Sequence, residues 1–128
     1  MPAKLREQLG NTFVITRGLD GCLFVYTDEE WKIKEEKFRE IPLTKKEART
    51  FARFFFAGAA QLEIDKQGRV LIPSTLREHA SLDKEVVLVG VLDRVEIWDK
   101  KRWEDTNTYS EDEMDEIAEK MAELGIGI

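Results

Sequence analysis

The stretch Asp65-Lys66-Gln67-Gly68-Arg69-Val70-Leu71-Ile72-Pro73 holds a turn between two segments of alternating polarity. Gln61–Ile64 before it and Arg69–Ile72 after it alternate apolar and polar residues, which predicts a strand on each side of the turn Asp65–Gly68. Gly68 keeps the turn slim. Pro73 stops the second strand. Asp65 and Arg69 stand at the two ends of the corner. There a carboxylate can hold a guanidinium fork in one orientation and leave its other N–H groups for a phosphate oxygen or a guanine edge. Lys66 adds a second cation at the tip. The plainer reading of the same residues is a solvated β-turn whose surface ion pair contributes little to stability.

Outward from this stretch, the chain matches itself at an offset of 71–73 residues. Met1-Pro2-Ala3-Lys4-Leu5-Arg6-Glu7 lies against Ile72-Pro73-Ser74-Thr75-Leu76-Arg77-Glu78. Thr12-Phe13-Val14-Ile15 lies against Glu85-Val86-Val87-Leu88, Leu19-Asp20 against Leu92-Asp93, and Trp31 against Trp103. Self-similarity of this kind predicts a pseudo-two-fold core built by both halves. The second copy carries the segment 60–71 at its front. Its counterpart would fall before residue 1, so the first copy is expected to lack its leading strand pair and to leave open edges.

Phe13–Thr16 and Cys22–Tyr26 read as strands, joined through Arg17-Gly18-Leu19-Asp20-Gly21, where Gly18 and Gly21 can supply positive φ in a turn. Thr27-Asp28-Glu29-Glu30 is a capping box that opens a helix with Trp31, Lys34, Phe38 and Ile41 on one face, closed by Pro42. Thr44-Lys45-Lys46-Glu47 reads as a second box, opening a helix to about Phe56. Ser74 is expected to cap a short helix through His79. Glu85–Val91 and Val95–Trp98 form another hairpin, followed by a helix capped by Asp99. Ser110-Glu111-Asp112-Glu113 opens the last helix, with Met114, Ile117, Ala118 and Met121 on one face and Gly125 at its end.

At 128 residues and 42% apolar content the chain has the material for one core, or for two half-domains sharing one. One Cys excludes an internal disulfide and a CxxC pair, and one His with one Cys cannot fill a four-ligand zinc site without carboxylates. No cofactor and no small-molecule ligand is indicated. No stretch approaches the roughly 18 apolar residues of a membrane span. The opening MPAKLREQLG has no apolar h-region, so the expected location is the cytoplasm.

The net charge of −6 argues, taken whole, against a nucleic-acid partner. Its distribution weakens that argument. Residues 1–60 hold 11 Lys+Arg and 9 Asp+Glu, a net of +2, and residues 61–105 hold 8 and 10, a net of −2. Residues 106–128 hold 1 and 7, a net of −6, so the tail carries the whole excess. A neutral body can still present a local basic face, because screening cuts surface fields off within about 8–10 Å.

One tip neutralises few phosphates and binds weakly alone, whereas several at duplex spacing gain through effective concentration. The mechanism therefore needs an oligomer. Phe51, Phe54, Phe55, Phe56, Trp31 and Trp103 could line subunit contacts, although an intrachain core accounts for most of them. Lys45, Lys46, Arg49 and Arg53 form a basic helix face, a solvated surface or a set of phosphate contacts flanking the tip. Lys100, Lys101 and Arg102 read the same way. Cys22 reads as a buried small hydrophobe. His79 ends a short helix, where a dipole or cap role outweighs catalysis. No Walker loop, G-x-G-x-x-G or G-x-S-x-G occurs, and no enzyme is indicated.

Asp65-Lys66-Gln67-Gly68-Arg69-Val70-Leu71-Ile72-Pro73 resembles the D-x-x-x-R signature of the MraZ family. Gly18-Leu19-Asp20-Gly21-Cys22-Leu23-Phe24-Val25-Tyr26, Ala48-Arg49, Arg53-Phe54-Phe55-Phe56 and Val95-Glu96-Ile97-Trp98 are similar to that family too. The resemblance covers residues 1 to about 105. It implies an α+β fold, a duplicated AbrB-like swapped-hairpin β-barrel core with flanking helices, its first copy lacking the leading strand pair. The units are then a first repeat with its helices at 1–50, a second repeat at 51–105, and an acidic amphipathic helix at 106–128. The implied function is a nucleoid-associated transcriptional regulator that assembles into ring-like homo-oligomers. Its partner is double-stranded DNA, at direct repeats in the promoter of a division and cell-wall gene cluster. The implied DNA-binding residues are Asp65, Lys66, Gly68 and Arg69, with Lys45, Lys46 and Arg49 as phosphate contacts. Family members carry D-x-x-x-R in each half, and here only the second stands. The rival reading is a protein-interaction or scaffold module with impaired DNA binding, motivated by the acidic helix.

Overall fold

A computed structural model describes residues 3–127. Met1-Pro2, half of the pairing with Ile72-Pro73, lies outside the described residues. The elements run α1 (Ala3–Leu9), β1 (Thr12–Arg17), β2 (Leu23–Thr27), α2 (Asp28–Arg39), α3 (Lys46–Phe55), β3 (Ala60–Glu63), α4 (Ser74–His79), β4 (Val86–Val91), β5 (Arg94–Asp99), α5 (Lys100–Thr106) and α6 (Glu111–Glu123). The order helix, strand, strand, helix occurs twice, as α1-β1-β2-α2 and as α4-β4-β5-α5.

The five strands form one antiparallel sheet in the order β3-β1-β2-β5-β4. Its centre joins the two halves, with Leu23 opposite Ile97 and Val25 opposite Val95. Because side chains alternate across a strand, β2 feeds two cores at once. Leu23 and Val25 pack with Phe13, Ile15, Ile97, Leu76 of α4 and Ala80 just after it. Phe24 and Tyr26 point the other way and pack with Phe55, Trp98 and Cys22. The aromatic run is thus mostly absorbed within the chain. Trp31 stacks on Phe55 with ring centroids 5.4 Å apart, and Trp103 meets Trp98 edge-on at 5.5 Å.

Three capping residues stand where the sequence puts them. The Thr27, Asp99 and Ser110 side chains accept from the N–H groups of Glu30, Arg102 and Glu113. Two do not. The N-cap of α3 is Lys45 rather than Thr44, and it makes no side-chain cap. Ser74 is the first helical residue of α4, behind Pro73. Of the two glycines able to supply positive φ in this turn, Gly21 does (φ 79°), beside Asp20 (φ 65°). Gly18 serves space, not φ: a Cβ there would lie 2.6 Å from the Phe24 ring.

The strand expected at Arg69–Ile72 is not formed. Val70 and Ile72 pack against the first core while Leu71 is exposed, so the alternation is real. A strand also needs a hydrogen-bonded neighbour, and this segment pairs with none among the described residues. The sheet is open, with β3 and β4 as its two edges.

Candidate nucleic-acid interface

The turn after β3 is built by one carboxylate. Asp65 Oδ1 accepts from the N–H of Gln67 at 2.9 Å and of Arg69 at 2.8 Å. The Asp65 N–H donates to the Arg69 carbonyl at 2.9 Å, and the Gly68 N–H to the Asp65 carbonyl at 3.0 Å. Gly68 closes the loop at φ 77°, in the left-handed region that glycine enters without steric cost. These bonds hold the Asp65 carboxyl below the usual carboxylate range, the Arg69 N–H first among the causes.

The other oxygen faces the cation. Asp65 Oδ2 lies 3.6 Å from Arg69 Nε, with the two side chains 51% and 73% exposed. The closest approach is at Nε, and the terminal nitrogens of Arg69 make no hydrogen bond among the described residues. A partly oriented guanidinium with a free outer edge is the form that recognises a phosphate oxygen or a base edge. Lys66 is exposed at the tip.

Arg6 is the residue that sequence reasoning missed. A Cβ built at Gly68 would sit 3.1 Å from a terminal nitrogen of Arg6 and 3.3 Å from its guanidinium carbon. Helix α1 therefore lays a second guanidinium against the turn. No local pattern announces this, because α1 and the turn are about sixty residues apart along the chain. The structure thus brings together Asp65, Lys66, Gly68, Arg69 and Arg6.

Lys45, Lys46 and Arg49 stand elsewhere, at the start of α3. No hydrogen bond or ion pair joins them to the turn among the described residues. Lys45 and Lys46 are exposed, and Arg49 donates through Nη1 to the carbonyls of Leu43 (2.8 Å) and Thr44 (3.1 Å), pinning the loop before its own helix. Arg102 is occupied by the Gly21 carbonyl (2.9 Å) and Ser81 Oγ (3.2 Å), and Lys100 by Glu85 (3.1 Å). His79 packs edge-on against Phe54, with Nε2 3.2 Å from the Gly18 carbonyl. Cys22 is fully buried, and burial pushes its thiol up to about 12. Among the described residues no group of three His, Cys, Asp or Glu could hold a metal ion. No helix among them is long and apolar enough to cross a membrane.

A family profile described as "MraZ protein, putative antitoxin-like" matches residues 1–54 and 55–124. The chain belongs to the MraZ family. It is 57% identical over 126 residues to the "Transcriptional regulator MraZ" of Clostridium beijerinckii, covering 98% of this chain and 88% of that protein. The protein of the same name from Alkaliphilus oremlandii is 55% identical, and that from Thermoanaerobacter sp. (strain X514) 56%, over the same shares. An antiparallel sheet with flanking helices is consistent with an AbrB-like MraZ fold. The family is one of regulators, not of enzymes.

Proposed function

We propose that this chain is a sequence-specific DNA-binding transcriptional regulator that acts as a homo-oligomer on direct promoter repeats of a division and cell-wall gene cluster, at the nucleoid. The observation that carries the reading is the Asp65–Arg69 turn, an exposed guanidinium held at Nε by a carboxylate that is itself fixed by two backbone N–H groups. In this reading Arg69, Lys66 and Arg6 meet the duplex. Asp65 positions Arg69, and Gly68 lets the turn close and admits Arg6 beside it. Lys45, Lys46 and Arg49 then serve backbone phosphates at a separate place. Residues 1–50 and 51–105 act as two AbrB-like repeats sharing a swapped-hairpin barrel, whose closure needs partners for Arg69–Ile72 and for the sheet edges. The relatives' name, transcriptional regulator, supports the assignment.

The test is binding of the full chain to a promoter fragment with direct repeats and to a scrambled fragment of equal length, across a salt series. Expected is tighter binding to the repeats and a linear fall of log K with log salt. Equal affinity for both fragments at every salt would overturn the reading.

A second reading, a protein-interaction module, is favoured by one specific feature. Helix α6 leaves Met114 and Ile117 exposed along one face, with carboxylates on the other.

A further inference from the structure

A cavity between β2, α2 and α3 is walled chiefly by aromatic rings and holds about 310 Å³. Phe24 and Tyr26 come from β2, Phe38 from α2, and Phe51 and Phe55 from α3, with Phe56 just after it. Leu19, in the turn between β1 and β2, also lines it. Leu19 is 56% exposed and Phe51 38%, so the cavity is open to solvent. No single stretch of sequence announces it, because separate segments supply the walls.

The charged lining has one sign. Lys34 and Lys37 border the cavity, and no carboxylate does. Lys34 is held by Asp93 and lies 3.8 Å from Glu30, so its charge is already answered. Lys37, one helical turn on, is exposed, and its side chain makes no hydrogen bond or ion pair among the described residues. A cation left over beside an apolar cavity draws an anion. A second polar group is also unused. Tyr26 is only 3% exposed, yet its hydroxyl makes no hydrogen bond among the described residues. A buried phenol ordinarily finds an acceptor. Burial pushes this hydroxyl up to about 12, so at neutral pH it is a protonated donor. Ring walls, one donor without an acceptor and one unanswered cation suit a flat apolar body that carries a carboxylate. Aromatic walls with few polar groups are the usual make-up of a small-molecule site.

We propose that this cavity binds a small aromatic carboxylate, its ring among the phenylalanines, its charge toward Lys37, and the Tyr26 hydroxyl donating to it. The site uses none of the residues of the Asp65–Arg69 turn and needs no DNA. Its failure and the failure of the DNA reading are therefore separable.

The test is isothermal titration of the full chain with naphthoate, and with two compounds that keep the ring system: neutral naphthamide and cationic naphthylmethylammonium. Naphthoate is expected to bind best, with naphthamide about tenfold weaker for want of the charge-assisted bonds, and the cation weaker still. Tyr26→Phe removes only the hydroxyl and should weaken naphthoate about tenfold without lowering the melting temperature. Lys37→Gln should weaken it roughly threefold, as befits an exposed charge. Leu19→Glu puts a carboxylate in the lining and should abolish naphthoate binding while favouring the cation. Leu43→Glu is the control: Leu43 is 62% exposed and lies outside this lining, so binding should be unchanged. Any of four results would overturn the proposal. The first is no saturable naphthoate binding up to about 5 mM. The second is equal affinity for naphthoate and the cation. The third is unchanged affinity in a Tyr26→Phe chain that melts like the wild type. The fourth is a loss with Leu43→Glu as large as that with Leu19→Glu.

Discussion

Two arginine–carboxylate pairs in this molecule use the same chemistry to opposite ends. On β5, Arg94 donates to Glu96 Oε2 through Nη2 at 2.8 Å and Nε at 3.0 Å, with the side chains only 27% and 12% exposed. The guanidinium also lies over the Phe24 ring, 4.2 Å from its centroid, and the Trp98 indole N–H donates to Glu96 Oε1 at 3.0 Å. Both members of that pair are tied to other groups of the fold. At the turn after β3, Arg69 comes no closer to Asp65 than 3.6 Å, at Nε, and its side chain is 73% exposed. Desolvation makes the first pair a structural unit that cannot lose a member cheaply. Exposure makes the second nearly irrelevant to stability and available to a ligand.

The largest effect that would break this contrast lies on the buried side. Glu96→Ala leaves Arg94 and the Trp98 indole without their shared acceptor. The expected cost is about 3 kcal/mol, in the range for breaking a buried pair, read by urea denaturation. A cost no larger than that of a typical surface substitution would mean that the two pairs are alike. A smaller effect is expected at the turn. Gly68→Ala places a Cβ at φ 77° and 3.1 Å from Arg6, and the left-handed strain alone is worth about 1–2 kcal/mol. A thermal melt unchanged by Gly68→Ala would show that the turn relaxes freely and that Asp65 does not fix it. The smallest effect on stability is expected at Arg69 itself, where removal of the guanidinium should leave the melting temperature as it was.

The contrast also explains what could be read from sequence. Caps at Thr27, Asp99 and Ser110 were legible because a cap is satisfied within three residues of itself. Thr44 misled because the loop before α3 is held from the far side by Arg49, which takes the Leu43 and Thr44 carbonyls and sets the helix start one residue later. The strand at Arg69–Ile72 misled for a different reason. Its alternation reports burial of Val70 and Ile72, but pairing is a property of the neighbour and not of the segment. The Asp65–Arg69 corner was legible because its bonds are local. Arg6 was not, since only the packing of α1 brings it to Gly68. Gly18 carried a true signal under the wrong cause, room for Phe24 in place of a left-handed turn.

The central claim is that Arg69 is displayed for phosphate or base contact rather than spent within the fold. The direct measurement is the salt dependence of binding to a promoter fragment carrying direct repeats, for the wild-type chain and for Arg69→Ala of equal melting temperature. Each neutralised phosphate contributes close to one unit of slope in log K against log salt. Arg69→Ala is predicted to weaken binding and to flatten that slope by about one for every turn engaged. An unchanged affinity with an unchanged slope would contradict the account.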